Sequence, residues 1–522
     1  MCLVPIVPYS DSDSRSDTDA AKKALHRYRW LKRSVCLHSA IVLSLVLLCS
    51  MTPLLSMAAT GEHSNHTTDK LSFFMRKHHA VQWKKGDAPN DGNCRSKMKM
   101  PCYSPAEMRS AYNVDLLTNV GLNGAGQTIV IIDSFGSPTV AEDLKQFDKD
   151  YGLPDPPSFK VLSPLGTVPF DAKNSDMLGW AQETNMDVQW AHAIAPGANI
   201  VLLTSPVSET QGVQGMPQFL ALERYALDHN LGSIISQSWG TTEETLFTPE
   251  GTAVLNNFNK LYQRAASKGV TMLASSGDTG AVNPDVNNNN YKFPTVEFPA
   301  SSPYVTAVGG TSLFADTDGA YQSETAWNSG VGSATGGGFS HYFKAPDYQT
   351  AALQAYSNVA AGHRGVPDIA YNGDPTTSIP IYLGFMASPG YYLFGGTSAG
   401  SPQWAGLVAI ANQVAGHPLG FINPLLYKIG PNGSAFHDIT LGNNTQGAVT
   451  GYSAGAGWDP VTGWGTPRAS FLIAALISAS AAAGPVTYAD SFARSGGHGG
   501  HMAYAGPHHV HSYLFTLRYA IK

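Results

Sequence analysis

Apolar residues in this chain come in short, nearly unbroken runs separated by amphipathic stretches. Residues 128–132, 199–203, 232–236, 270–274 and 304–308 are runs of strand length with little polar alternation. A strand that is apolar on both sides must be covered on both faces, as in a buried parallel sheet. Between these runs, residues 106–118, 139–151, 180–194, 218–229 and 256–268 carry the apolar spacing of helices. Thr139 and the acids after it mark a helix start, and Pro196 ends the third of these helices. A further helix follows Gly395-Gly396 and runs through Asn412, and small residues form a last one over 471–483. This alternation predicts an α/β fold with a mostly parallel sheet and helices on both faces. Sites on such sheets lie outside the carboxyl ends of the strands.

The flanks read differently. Residues 1–33 are polar and end in a basic patch with Lys22, Lys23, Arg27, Arg29, Lys32 and Arg33. An apolar stretch over 35–55 and the small-residue site Ser56-Met57-Ala58 follow, the order of a secretory signal. Residues 1–59 are therefore expected to be a signal peptide with a long amino-terminal region. The 35–55 run is also long enough to anchor the chain in a bilayer, although Pro53 and the small-residue site favour cleavage. Either way the body is expected outside the cytoplasm, secreted or extracellular. Residues 60–104 are polar and turn-rich and read as a short pro-segment or linker. Residues 105–483 read as globular, and 484–522 as a Gly/His-rich tail. Cys2, Cys36 and Cys49 fall in the leader, leaving Cys94 and Cys102. These two either close a small loop in an oxidising compartment or remain free thiols.

With 53 Gly, 33 Pro and 13% charged residues, the composition suits a loop-rich globular body and excludes a disordered or coiled-coil chain. A net charge of −6 leaves no nucleic-acid footprint.

Three stretches carry candidate chemistry. In Gly395-Gly-Thr-Ser-Ala-Gly-Ser-Pro402, small neighbours leave the Ser398 hydroxyl uncrowded, and the free N–H groups of a helix start lie beside it. Pro402 is expected in the first helical turn. The same pattern equally describes a Ser/Thr N-cap on a buried helix. Glu183 and Asp187, at i and i+4, place two carboxyls on one helix face. There they repel on a solvated surface or share a proton. Asp278, in Gly277-Asp-Thr-Gly280 after an apolar strand, suits a turn or a site at a strand end. A seryl nucleophile needs a base, and none of the histidines in the body is placed as an obvious partner. Asp133 sits at the end of a strand like the aspartate of a subtilisin, but the histidine that motif requires is missing, so Asp133 is read as structural or supporting.

Taken in order, Glu183-x-x-x-Asp187 followed by Ala195-Pro-Gly-Ala, Ser236-x-Ser-Trp-Gly240, Ser276-Gly-Asp-Thr-Gly280, Phe298-Pro-Ala-Ser-Ser-Pro-Tyr-Val-Thr-Ala-Val-Gly-Gly-Thr311 and Gly396-Thr-Ser-Ala-Gly-Ser-Pro402 resemble the sedolisin (serine-carboxyl) peptidases. The likeness runs from about residue 105 to 480. It implies a subtilisin-like fold, with Ser398 as nucleophile, Glu183 as its base, Asp187 as the partner of Glu183, Asp278 as oxyanion donor, and Trp239 lining the substrate cleft, where core packing is the alternative. It also implies one structural calcium ion, held by the side chains of Asp438 and Asp459 and the carbonyls of Ile439, Gly455 and Gly457. Members usually carry a long folded pro-domain, and residues 60–104 are short for one. The expected activity is acid-acting endopeptidase cleavage of polypeptides by a monomer. A tripeptidyl aminopeptidase and a catalytically silent surface-binding protein are the alternatives.

Overall fold

The computed structural model describes residues 81–83, 87–330 and 332–483. The leader, residues 60–80 and the tail from residue 484 lie outside them. Strands are numbered along the chain: β1 (Val81–Gln82), β2 (Thr128–Ser134), β3 (Phe159–Leu162), β4 (Asn199–Ser205), β5 (Ile234–Gln237), β6 (Thr241–Thr242), β7 (Thr271–Ser275), β8 (Glu297–Phe298), β9 (Thr306–Ala315), β10 (Tyr321–Ala326), β11 (Gly338–Lys344), β12 (His363–Val366), β13 (Ile369–Asn372), β14 (Ile379–Leu383) and β15 (Gly390–Phe394).

The five apolar runs become β2, β4, β5, β7 and β9, the middle of an eight-stranded sheet of order β10-β9-β7-β5-β2-β4-β3, with β13 also paired to β9. Every pairing is parallel except β10 on β9. Strand alternation then sorts the core into two layers. Ile129, Ile131, Ile200 and Leu202 pack with Trp190, Leu407 and Ile410, from the helices Ser175–Ile194 and Thr397–Ala415. Val130, Ile132, Val201 and Leu203 pack with Phe219, Leu222, Phe258 and Leu261, from Met216–Asp228 and Pro249–Ser267. The first pair of helices approaches closely at Gly406, where a β-carbon would lie 2.8 Å from Ile194 Cβ. The fold is the subtilisin-like α/β architecture expected.

Folded structure begins before residue 105. β1 adds antiparallel to β15, Val81 opposite Leu393, and the Trp83 N–H continues the ladder to Tyr391 O at 2.9 Å. The helix Asp91–Met98 follows, capped by Asn90. Cys94 and Cys102 are joined by a disulfide, which settles the choice between loop and free thiols. The Tyr103 N–H then bonds to Ser378 O, just before β14, at 2.9 Å. Residues 81–83 and 87–104 thus clasp the β14–β15 hairpin, and β15 leads directly into Gly395-Gly396 and Ser398. The helix expected over 256–268 starts earlier, at Pro249 behind the Thr248 cap. Among the described residues, no helix is long and apolar enough to cross a membrane.

Candidate active site

Ser398 lies in the first turn of the helix Thr397–Ala415. The helix starts from Gly396 at φ 127°, a left-handed conformation that only glycine holds readily, and has no side-chain N-cap. The N-cap reading of the sequence is thereby replaced. Asp278 Oδ1 takes that place: it accepts the Thr397 N–H at 2.7 Å and the Thr397 hydroxyl at 2.8 Å. Thr397 Oγ1 in turn accepts the Gly277 N–H at 3.0 Å. Gly277 has φ 104°, and a β-carbon there would lie 2.7 Å from Glu297 Cδ. Ser398 itself is fully buried, and its Oγ has no hydrogen-bond partner among the described residues.

Pro402 falls in the second turn, not the first. Its missing N–H is the one that would have closed the i→i−4 bond to Ser398 O. The Ser238 hydroxyl donates to that orphaned carbonyl at 3.3 Å. The same hydroxyl lies 2.9 Å from Asp187 Oδ1. One side chain at the end of β5 therefore links the acid-bearing helix to the serine turn. Sequence reading passed over Ser238 and Thr397; the Ser-Trp-Gly and Gly-Thr-Ser motifs that contain them were the available signal.

The acid-bearing helix is capped by Asn174, which accepts the N–H groups of Asp176 and Met177. Glu183 and Asp187 are both buried, as are their neighbours Thr184, Met186 and Val188. A third carboxyl, Asp133 at the end of β2, is fully buried in the same cluster. Burial holds the Asp187 carboxyl well above the usual range, and the charges of Asp133 and Glu183 add to it. Burial does the same to Asp133, with Glu183 adding. Three carboxyls in one dry site cannot all ionise cheaply, so Asp133 and Asp187 are both shifted toward their neutral forms. The Trp239 ring is fully buried and packs on Phe219, centroids 4.4 Å apart. It stands in the second core layer, one residue after Ser238.

Of the residues implied for calcium, four are linked in two pairs. Asp438 Oδ2 accepts the Gly457 N–H at 2.9 Å, and Asp459 Oδ2 the Gly455 N–H at 3.1 Å, so one glycine-rich loop lies between two carboxyls. Asp459 is fully buried, and burial pushes its carboxyl up to about 7. A hard cation at this point would relieve that penalty, and the donor set is all oxygen, as calcium prefers. Ile439 is buried beside them in sequence.

Acid groups outside the cluster point to a pH preference of the whole fold. Burial pushes Asp143 up to about 6, Glu243 and Glu324 to about 7, and Asp148 to about 8. The folded chain therefore holds protons that the unfolded chain releases near pH 4. Stability from these groups is complete below the unfolded pKa and is lost as pH rises through about 6 to 8. The melting temperature is expected to fall between pH 5 and pH 8. A rise across that interval would contradict it.

Comparison with known proteins places this geometry. The Subtilase family signature matches residues 174–421. Kumamolisin of Bacillus sp. (strain MN-32) is 36% identical over 403 residues, covering 76% of this chain and 68% of that protein. Sedolisin of Pseudomonas sp. (strain 101) is 32% identical over 378 residues, covering 70% and 59%. Human tripeptidyl-peptidase 1 is 33% identical over 324 residues, covering 57% and 52%. The chain thus spans about half to two thirds of these relatives' lengths. Among solved structures, Pseudomonas sedolisin, a serine-carboxyl proteinase complexed with two molecules of pseudo-iodotyrostatin, superposes with a TM-score of 0.62 at 30% identity, covering 73% of this chain and 99% of that one.

Proposed function

The chain belongs to the sedolisin family of serine-carboxyl peptidases, and from that premise we propose that it hydrolyses polypeptides in acid, as a secreted endopeptidase, through Ser398, Glu183, Asp187 and Asp278. One observation carries the reading. Ser398 Oγ is buried with no partner among the described residues, while Asp278 bonds directly to the turn that holds it and Asp187 reaches that turn through the Ser238 hydroxyl.

Ser398 Oγ attacks the scissile carbonyl carbon, and its proton passes to the Glu183 carboxylate. The tetrahedral adduct collapses, the C–N bond breaks, and Glu183 returns the proton to the departing amine. Water repeats the sequence on the resulting ester and frees Ser398. Asp278, anchored through Oδ1, offers its protonated oxygen to the oxyanion. A neutral Asp187 resolves a shortage of protons at Ser238, whose single hydroxyl hydrogen has two acceptors in reach. If Asp187 donates to Ser238 Oγ, that hydrogen is free for Ser398 O.

A base that must be ionised and a donor that must be protonated coexist only near carboxyl pKa values, about 4 when unperturbed. Hydrolysis of a denatured protein is expected to peak at about pH 3–5 and to be nearly gone by about pH 7. An optimum near pH 8 would remove the mechanism. Cleavage of amino-blocked peptides in the same assay marks endopeptidase action. Cleavage restricted to free amino termini marks tripeptide release.

Asp438 and Asp459, with the carbonyls of Ile439, Gly455 and Gly457, are proposed to hold one calcium ion. When bound, it supplies charge that ties the carboxyl-terminal loops together. Stripping it with excess chelator is expected to remove about 3 kcal/mol of stability relative to calcium at about a hundred times its Kd. An unchanged melting temperature would dismiss the site.

A further inference from the structure

Three segments that leave the catalytic region converge on one exposed aromatic patch. Ser238-Trp239-Gly240 runs through β6 and a turn of 3-10 helix (Glu243–Leu246) to Phe247. Asp278-Thr279-Gly280 runs into the loop carrying Tyr291 and Phe293. Gly336, whose N–H bonds to Gly277 O at 2.7 Å, runs into β11 with His341 and Tyr342.

Phe247 is 45% exposed and Phe293 43%. Phe247 lies 6.2 Å from Tyr342 by ring centroid, Phe293 5.3 Å from Tyr291 and 5.8 Å from His341. His341 Nδ1 is 2.5 Å from Glu244 Oε1, on the 3-10 turn that Phe247 ends. A single exposed phenylalanine needs no explanation, but a contiguous cluster does.

The patch is also held rigid from behind. Buried Glu243 accepts the Ser340 hydroxyl and the His341 N–H, both at 2.7 Å. The Thr242 hydroxyl donates to Pro284 O at 2.7 Å. β6 pairs with β8, Thr241 opposite Phe298. Little is lost in ordering such a surface when a ligand arrives.

We propose that this patch is an accessory binding surface for an unfolded polypeptide substrate, gripping aromatic and aliphatic side chains outside the residues that flank the scissile bond. The proposal deepens the peptidase reading and rests on it for the identity of the occupant. That occupant is chosen by continuity, since all three segments leave the proposed catalytic set: Ser238 is bonded to Asp187, Asp278 is a member, and Gly336 is bonded to Gly277 beside it. Bound substrate would lie on both surfaces at once, so the patch acts on long substrates alone.

The test compares Phe247→Ser and Phe293→Ser, singly and together, with Val359→Ser as an exposed apolar control elsewhere. On a denatured protein, KM is expected to rise about three- to tenfold for the double variant with kcat unchanged. On a short peptide, kcat/KM should stay within about twofold. Binding of the same denatured protein to full-length enzyme carrying Ser398→Ala, read by fluorescence anisotropy, should weaken by the same factor. Unchanged KM and unchanged binding would overturn the proposal. So would an equal loss on both substrates, which would make the patch a prop for the cleft, or displacement by a soluble oligosaccharide but not by denatured protein. If the unsubstituted chain binds through the patch but cleaves nothing, the peptidase reading fails and the surface stands.

Discussion

Ser398→Ala should lower kcat on a denatured protein by about three to six orders of magnitude while leaving the melting temperature unchanged or slightly raised. The two halves of this expectation come from one fact. The Ser398 hydroxyl is fully buried and has no hydrogen-bond partner among the described residues. A structural serine in such a place would be bonded, and its removal would strand a partner at a cost of about 1–3 kcal/mol. Here nothing is stranded, because the links that hold the turn run through the Thr397 N–H and hydroxyl and the Ser398 carbonyl, which alanine leaves in place. Activity retained above about a tenth of the original would end the assignment of Ser398 as nucleophile. A large fall in melting temperature would instead make the hydroxyl structural.

Asp278→Ala should cost about a hundred- to a thousandfold in kcat, the usual loss when one oxyanion donor is removed. It should also destabilise the protein by about 1 kcal/mol, since Asp278 Oδ1 takes the place of the missing N-cap. Asp278→Asn separates the two roles. Its carbonyl can still accept the Thr397 N–H, so stability should return. Its amide is a donor at every pH, so part of the rate should return as well. The informative readout is the pH profile. A carboxyl must be protonated to donate, which closes the alkaline side of the profile; an amide need not be. Asp278→Asn should therefore extend activity to higher pH while leaving the acid limb where it was. An unshifted alkaline limb would take Asp278 out of the oxyanion site.

The parts of this molecule that were legible in sequence are those whose chemistry is local. Both-sided burial shows in consecutive apolar residues, so β2, β4, β5, β7 and β9 could be read directly. The i, i+4 spacing of Glu183 and Asp187 follows from helical period alone. The two strands at the sheet edges are less visible. β10 is half exposed, and β3 is four residues long with its middle exposed. Gly251 weakens the first turn of the helix Pro249–Ser267, so its start does not show in propensity. That glycine is there because a β-carbon would meet Leu246 O at 2.5 Å. The links that make a site depend on contacts between residues far apart in the chain. Asp187, Ser238 and Ser398 come together through one hydroxyl, and Pro402 opens the carbonyl that receives it. Asp133, expected to be structural or supporting because the histidine of its motif is missing, is a member of the buried acid cluster.

The clasp formed by residues 81–83 and 87–104 bears on where the chain can be shortened. With β1 in place, one side of β15 is a paired ladder. A chain cut back to residue 105 would lose the cystine, the buried indole of Trp83 and that ladder together. The backbone groups of Tyr392 and Leu393 would then face water as a bare strand margin, a template on which a second copy can dock. Trimming at that point would therefore favour self-association, and it would do so at the strand that leads into the Ser398 turn.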